Sequence, residues 1–325
     1  MWILTDGKAG DESPLLGIAA AMGVAPEVRR VSPGPPWVWA MPFGSIPPRD
    51  RPDRPKSPIS PPFPDVCLAT GRRAVAYVRA LKRASPETLA VLYKDPRTRR
   101  HGADLLVVQA HDGRAGADTM VVTTGPHRLS RETLDAARAA PPPALSALSP
   151  PRLAVLVGGD SRHHRFTPAD RERLLAGLEH CLADGASLMI TASRRTPEPL
   201  RQGLAALGGR EGAWMWDDAG ANPLASMMAL ADTVVVTADS TNMIGEAAAT
   251  GAPIQVFHPS GGHPKIDRFL KVLAAEATVA AFPAPLDLPR YPPIDSTPAI
   301  ASAILDLWRA RTAGRVSPSA RPARS

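Results

Sequence analysis

The chain has 325 residues, 44% of them hydrophobic, a formal charge of +7, and two cysteines. That length suits two domains with cores of their own. The basic balance suits anionic partners, but its arginines are scattered and no RNA-binding aromatic signature or zinc-finger spacing accompanies them, which excludes a nucleic-acid partner from the leading expectations.

Cys67 and Cys181 lie in apolar surroundings at a spacing that matches no metal site, as expected of reduced thiols in a cytoplasmic protein. No apolar run reaches the roughly 20 residues that span a bilayer, and MWILTDGKAG does not read as a secretory signal.

WILTD predicts a short buried strand. Ser13-Pro14 offers a helix cap and a first-turn proline, and LLGIAAAMG reads as the helix that follows, ending at Gly23. Residues 32–64 are too dense in proline for regular structure. They read either as an ordered or semi-ordered insertion or, with Trp37 and Trp39 inside, as a loop facing a partner or the inner membrane peripherally. Strands are expected at 65–70, 89–93, 104–109 and 119–124, a helix over 72–84, and a helix LSRETLDAARAA capped by Ser130. PPPALSALSPP, residues 141–151, reads as a linker, which sets a first domain at 1–145 and a second at 146–295.

The second half restarts the alternation. RLAVLVGG is a strand; Thr167-Pro168 caps and starts the helix PADRERLLAGLEHCLADG. SLMITAS, GAWMW, TVVVTAD and PIQVF are further strands, separated by EPLRQGLAALG, NPLASMMALAD and the Ala-rich stretch after Asp239 as helices. Residues 296–313 make a closing amphipathic helix, and 314–325 are expected to be a disordered tail. Continuous apolar strands alternating with helices predict parallel sheets covered on both faces. The fold class is therefore α/β: two Rossmann-like parallel-sheet domains facing a cleft, with a C-terminal helix.

In such sheets ligands sit beyond the carboxyl ends of the strands. VVVTADSTNMIGEAAATG, residues 234–251, delivers Asp239, Ser240, Thr241 and Asn242 to a helix start. The unpaired N–H groups and positive dipole end there suit a phosphate, and Ser240 and Thr241 can add hydroxyl donors. Asp239 would be repelled by a diphosphate; it either caps the helix or points back into the sheet. Glu246 leans toward the helix N-terminus, where its carboxylate can accept from two neighbouring hydroxyls, as on a ribose.

Two more strand ends carry compatible groups. VGGDSRHHRFT offers Gly158 and Gly159 for close backbone approach, and TASRRTPEP offers Ser193, Arg194 and Arg195 for an anion. Neither is a GxGxxG or P-loop pattern, and the adjacent histidines lack a third ligand, so no metal is expected.

Taken together, WILTDGKAG, TGRRA, KDPR, TTGPHRLS, VGGDSRHHRF, ITASRRTP, NPLASMMALAD and VVTADSTNMIGEAAATGAP resemble the mitochondrial-fission family of elongated-mitochondria type. Bacterial members of that family are described as predicted nucleoside-diphosphate-sugar epimerases or glycosyltransferases. The resemblance implies a GT-B-like fold, similar to the transferase that adds N-acetylglucosamine to the lipid-linked cell-wall precursor. It implies that Thr241, Asn242 and Met243 lie on the phosphate side and that Glu246 holds the ribose. Its eukaryotic members engage a dynamin-like partner, a role that requires no catalysis. The first half departs from the family pattern at Ser13-Pro14 and at QAHD.

The leading expectation is a metal-independent glycosyltransferase whose substrate is a nucleoside-diphosphate sugar, with no further cofactor and an unknown acceptor. Candidate bases for that acceptor are Asp6, His111, Asp112 and His127. Lys265, with Arg268, is placed to reach the donor sugar. An epimerase on the same fold and a non-catalytic adaptor are the alternatives.

Overall fold

The computed structural model describes residues 1–313, in two compact units, Met1–Val122 with Ser296 onward and Thr123–Asp295. The first runs β1 (Trp2–Thr5), α1 (Ala9–Ala21), β2 (Glu27–Arg30), α2 (Trp37–Ala40), β3 (Val66–Thr70), α3 (Ala74–Ala84), β4 (Leu89–Tyr93), β5 (Leu105–Gln109) and β6 (Thr119–Val122). Its six strands form one parallel sheet in the order β2-β1-β3-β4-β5-β6.

The second unit runs α4 (Arg131–Ala139), α5 (Pro143–Ser146), β7 (Arg152–Val157), β8 (His164–Arg165), α6 (Pro168–Ala183), β9 (Ser187–Ala192), α7 (Glu198–Gly208), β10 (Ala213–Met215) and α8 (Leu224–Leu230). It continues with β11 (Thr233–Thr237), α9 (Thr241–Ala248), β12 (Ile254–Phe257), β13 (Ser260–Gly261), α10 (Pro264–Leu273) and β14 (Val279–Ala281). Six of these strands form a second parallel sheet, β10-β9-β7-β11-β12-β14. The short β8 and β13 pair antiparallel beside it. The last helix, α11 (Thr297–Ala313), packs on α1 of the first unit.

The continuous apolar strands are buried on both faces, as the α/β pattern requires. Successive residues of β7 point to opposite faces. Leu153, Val155 and Val157 enter a core with Leu174 and Leu178 of α6 and Leu200 and Leu204 of α7. Ala154 and Leu156 enter the opposite core with Met227 of α8, Ile244 of α9 and Phe269 of α10. α6 opens with a reciprocal cap: the Thr167 side chain accepts from Asp170 N–H, and the Asp170 carboxylate accepts from Thr167 N–H. In the first unit, Ile3 of β1 packs with Leu15 and Ile18 of α1 and with Ile300 and Ile304 of α11.

Several elements differ from expectation. α1 begins at Ala9 and contains Pro14 inside it, because Asp11 and Glu12 supply acidic groups to its first turn and are held there by Lys94 and Arg30. The 32–64 insertion contains α2 and a single 3₁₀ turn at Pro48–Asp50. The break between the compact units falls before Thr123, upstream of the 141–151 segment. There α4 packs on α8, Leu134 shares a core with Met227 and Met228, and Arg138 Nε donates to Ala229 O at 3.0 Å. The tail expected at 314–325 lies outside the described residues.

Candidate functional site

In the second sheet the strand order runs outward from β7 in both directions, to β9 and β10 on one side and to β11 and β12 on the other. Such a reversal opens a crevice at the carboxyl ends of the flanking strands. A cavity of about 520 Å³ lies there, lined by the ends of β7 (Leu156, Val157) and β9 (Thr191, Ala192), by Ser193 and Arg194, by Trp216, and by Met243 and Glu246 of α9. Asp218, Asn222 and Leu224 complete the lining.

Glu246 is the unusual member. It is half-buried in the cavity wall, and among the described residues no hydrogen bond or ion pair engages its carboxylate. Burial alone pushes its carboxyl up to about 7. Arg194 is exposed at the mouth and likewise has no carboxylate partner among the described residues. An aromatic ring, a free cation, a helix start and an unpaired acid thus border one cavity.

α9 begins at Thr241. Its cap is Ser240, whose Oγ accepts from Met243 N–H at 3.4 Å. Of the two roles open to Asp239, the turn back into the sheet is the one observed. Its fully buried carboxylate accepts from Thr237 Oγ1 at 2.6 Å and Gly159 N–H at 3.1 Å, and pairs with Arg195 at 2.9 Å. Arg195 also donates to the carbonyls of Gly159 and Asp160, so its guanidinium ties three strand ends together.

Gly158 and Gly159 serve the same knot. A Cβ at Gly158 would strike the Asp239 carboxylate, and one at Gly159 would strike the Arg195 carbonyl. Their N–H groups go to Thr237 Oγ1 and Asp239. The close approach expected at this glycine pair is thus an approach by protein, and of the Arg194-Arg195 pair it is Arg194 that lines the cavity.

The other expected residues divide. Ser193 lines the cavity, with its Oγ accepting from Arg195 N–H; Thr241 and Asn242 are half-buried in the first turn of α9. Lys265 stands in the first turn of α10, whose cap is His263, and does not line the cavity.

Nor do the four base candidates, Asp6, His111, Asp112 and His127, line it. Asp6 pairs with Lys8 at 2.8 Å; burial raises its carboxyl, but the Lys8 ammonium outweighs that and holds it below the usual range. His111 is fully buried beside Asp112 at 3.7 Å. His127 belongs to the second unit, where burial lowers its pKa against the opposing charge of Asp295, 3.4 Å away.

Residues 216–224 enter the cavity lining without having stood out as site residues in sequence. Trp214 packs against the core, whereas Trp216 lines the cavity with its indole N–H donated to Ala219 O at 2.9 Å. Asp218, held at positive φ and paired with Arg201 at 2.8 Å, and Asn222 carried no motif.

Two parallel α/β units, the second with a cavity at its strand-order reversal, define a GT-B-like fold. The UDP-GlcNAc 2-epimerase of Methanocaldococcus jannaschii superposes with a TM-score of 0.52 over 95% of this chain and 99% of its own, at 11% identity. UGT89C1 of Arabidopsis thaliana, in complex with UDP, superposes with a TM-score of 0.50 over 98% and 95%, at 12% identity.

The chain belongs to the mitochondrial fission ELM1 family, whose model matches residues 9–308. The mitochondrial fission protein ELM1 of Arabidopsis thaliana is 27% identical over 269 residues, 74% of this chain. The chain spans 63% of the length of that curated relative.

Proposed function

We propose that the second unit binds a nucleoside diphosphate and its attached sugar, and that the protein transfers that sugar to an acceptor. The observation that carries this reading is the unpaired, desolvated Glu246 carboxylate facing a cavity large enough for a nucleotide. Two vicinal ribose hydroxyls are the donors such an acceptor lacks. The diphosphate would then lie toward the first turn of α9, at the positive end of its dipole, with Arg194 closing on it from the mouth. The face of Trp216 suits a flat base. As the glycosidic bond breaks, charge grows on the leaving phosphate; fixed N–H dipoles and an arginine stabilise that charge without reorganising. The arrangement calls for no metal ion. The fold likeness to a UDP-GlcNAc 2-epimerase and to UGT89C1 in complex with UDP supports a uridine nucleotide.

Calorimetric titration with uridine, guanosine and adenosine diphosphates tests this. One of them is expected to bind the wild type, and Glu246→Ala to weaken it by at least roughly 100-fold, as for two hydrogen bonds to a charged group at about 1.5–3 kcal/mol each. Failure of all three to bind, or equal binding by the variant, would overturn the reading. The superposition on the archaeal epimerase supports a second reading, sugar interconversion without an acceptor. Incubating the protein with a UDP-sugar alone separates them: interconversion signifies the epimerase, whereas slow release of UDP that an acceptor accelerates signifies the transferase.

A further inference from the structure

Within the proline-rich insertion of the first unit, residues 37–46 fold into a tight turn. After α2, Gly44 N–H donates to Ala40 O at 2.7 Å, closing a turn so tight that a Cβ at residue 44 would strike the Ala40 side chain. Met41 and Ile46 are buried in the core beneath, and Trp37 packs half-buried against them. Trp39 and Phe43 are thereby turned outward, 74% and 71% exposed, the two most exposed large hydrophobic side chains among the described residues.

Arginine anchors this tip. Arg79 of α3 donates to the carbonyls of Phe43 (3.1 Å), Gly44 (2.6 Å) and Arg100 (3.1 Å), fixing the 97–101 loop beside the aromatic pair. Arg83 follows Arg79 one turn later in α3. Arg83, Arg99 and Arg100 are exposed, and none has an ion-pair partner among the described residues. The neighbouring acids are already taken: Asp95 by Arg114, and Asp104 by Lys82 and Arg311.

We infer that Trp39 and Phe43, with their arginine collar, dock the first unit onto an anionic lipid surface. Rings of this kind settle at headgroup depth, and unpaired arginines face the lipid phosphates. A protein partner suits the tip less well. Two rings offer roughly 300–500 Å², against about 800 Å² per side in a stable interface, and the collar leaves uncompensated charge around them. No helix among the described residues is long and apolar enough to cross a membrane, so the contact is peripheral. It stands independently of the nucleotide reading.

Co-sedimentation of the full chain with vesicles of phosphatidylcholine, alone or mixed with phosphatidylglycerol, tests the inference. The wild type is expected to bind only the mixed vesicles, less so at high salt. Trp39→Ala/Phe43→Ala should lose at least about tenfold in partition, and Arg83→Glu and Arg100→Glu at least roughly fivefold each. Val121→Ala, at an exposed apolar position elsewhere in the unit, should bind as wild type. Because Trp39 and Phe43 are exposed, the paired variant keeps its core.

Wild type that ignores phosphatidylglycerol, or a paired variant that binds equally well, would overturn the inference. So would a Val121→Ala loss as large as that of the aromatic pair. A dimer that the paired variant abolishes, without vesicle binding, would assign the tip to a second copy of the chain instead.

Discussion

Glu246→Gln should make the ligand-free protein more stable at alkaline pH while depriving it of its nucleotide. Burial carries the Glu246 carboxyl from 4.5 up to about 7, which corresponds to about 3 kcal/mol between its two protonation states. The folded carboxyl keeps its proton over a window in which the unfolded chain has released it. The native state therefore binds more protons between about pH 4.5 and 7, and stability falls as pH rises through that window. The penalty is absent below the window and complete above it.

Glutamine keeps the shape of the side chain and never ionises. The variant should match the wild type near about pH 4 and exceed it near about pH 8 by up to about 3 kcal/mol, less whatever the cavity recovers by admitting water. For a unit of this size that is roughly 6–12 °C in its melting transition. Scanning calorimetry of both proteins at the two pH values measures the difference. With the nucleoside diphosphate present the advantage should shrink or reverse, because the ligand stabilises mainly the wild type. Equal melting at both pH values would refute the reasoning, since the carboxylate would then be solvated or paired. A variant less stable at the higher pH would reveal a protein partner for Glu246.

The same titration sets the pH dependence of binding: wild-type affinity for the nucleoside diphosphate should rise as pH increases through about 7 and level off above it, whereas Glu246→Gln should show no such rise. Titration calorimetry across that range checks it. Arg194→Ala should weaken the diphosphate by roughly tenfold or more and leave thermal stability unchanged. Arg195→Ala should instead lower stability by about 2–3 kcal/mol in urea unfolding, because it strips the buried Asp239 carboxylate of its cation. Trp216→Phe should abolish the intrinsic-fluorescence change on nucleotide addition, and Trp214→Phe should preserve it, since only Trp216 lines the cavity.

Sequence patterns revealed the elements whose signals are local. The apolar runs 153–157 and 233–237 became central strands buried on both faces, and Thr167-Pro168 and Ser130 cap the helices expected of them. β2 escaped because EVRR is an edge strand with no buried residue and no apolar alternation, and β14 because three residues carry no periodicity.

In the second unit, Glu246 and Ser193, singled out by their places after strands, both line the cavity. Gly158, Gly159 and Arg195 show the limit of that inference: a glycine pair and an arginine beside a strand end look the same in sequence whether a ligand or a buried aspartate occupies the space. Asp218 and Asn222 reach the cavity only through the course of the loop after β10, which residue types do not encode.

The placement of α11 bears on how the polypeptide is made. Residues 123–295 form one uninterrupted stretch, whereas the first unit is finished only by a helix 173 residues further along, against which Ile3, Leu15 and Ile18 pack. On the ribosome, the middle of the chain can complete its core while the beginning still waits for its cover. A stop codon after residue 295 would leave the N-terminal sheet, not the C-terminal one, with a bare hydrophobic flank and a tendency to aggregate.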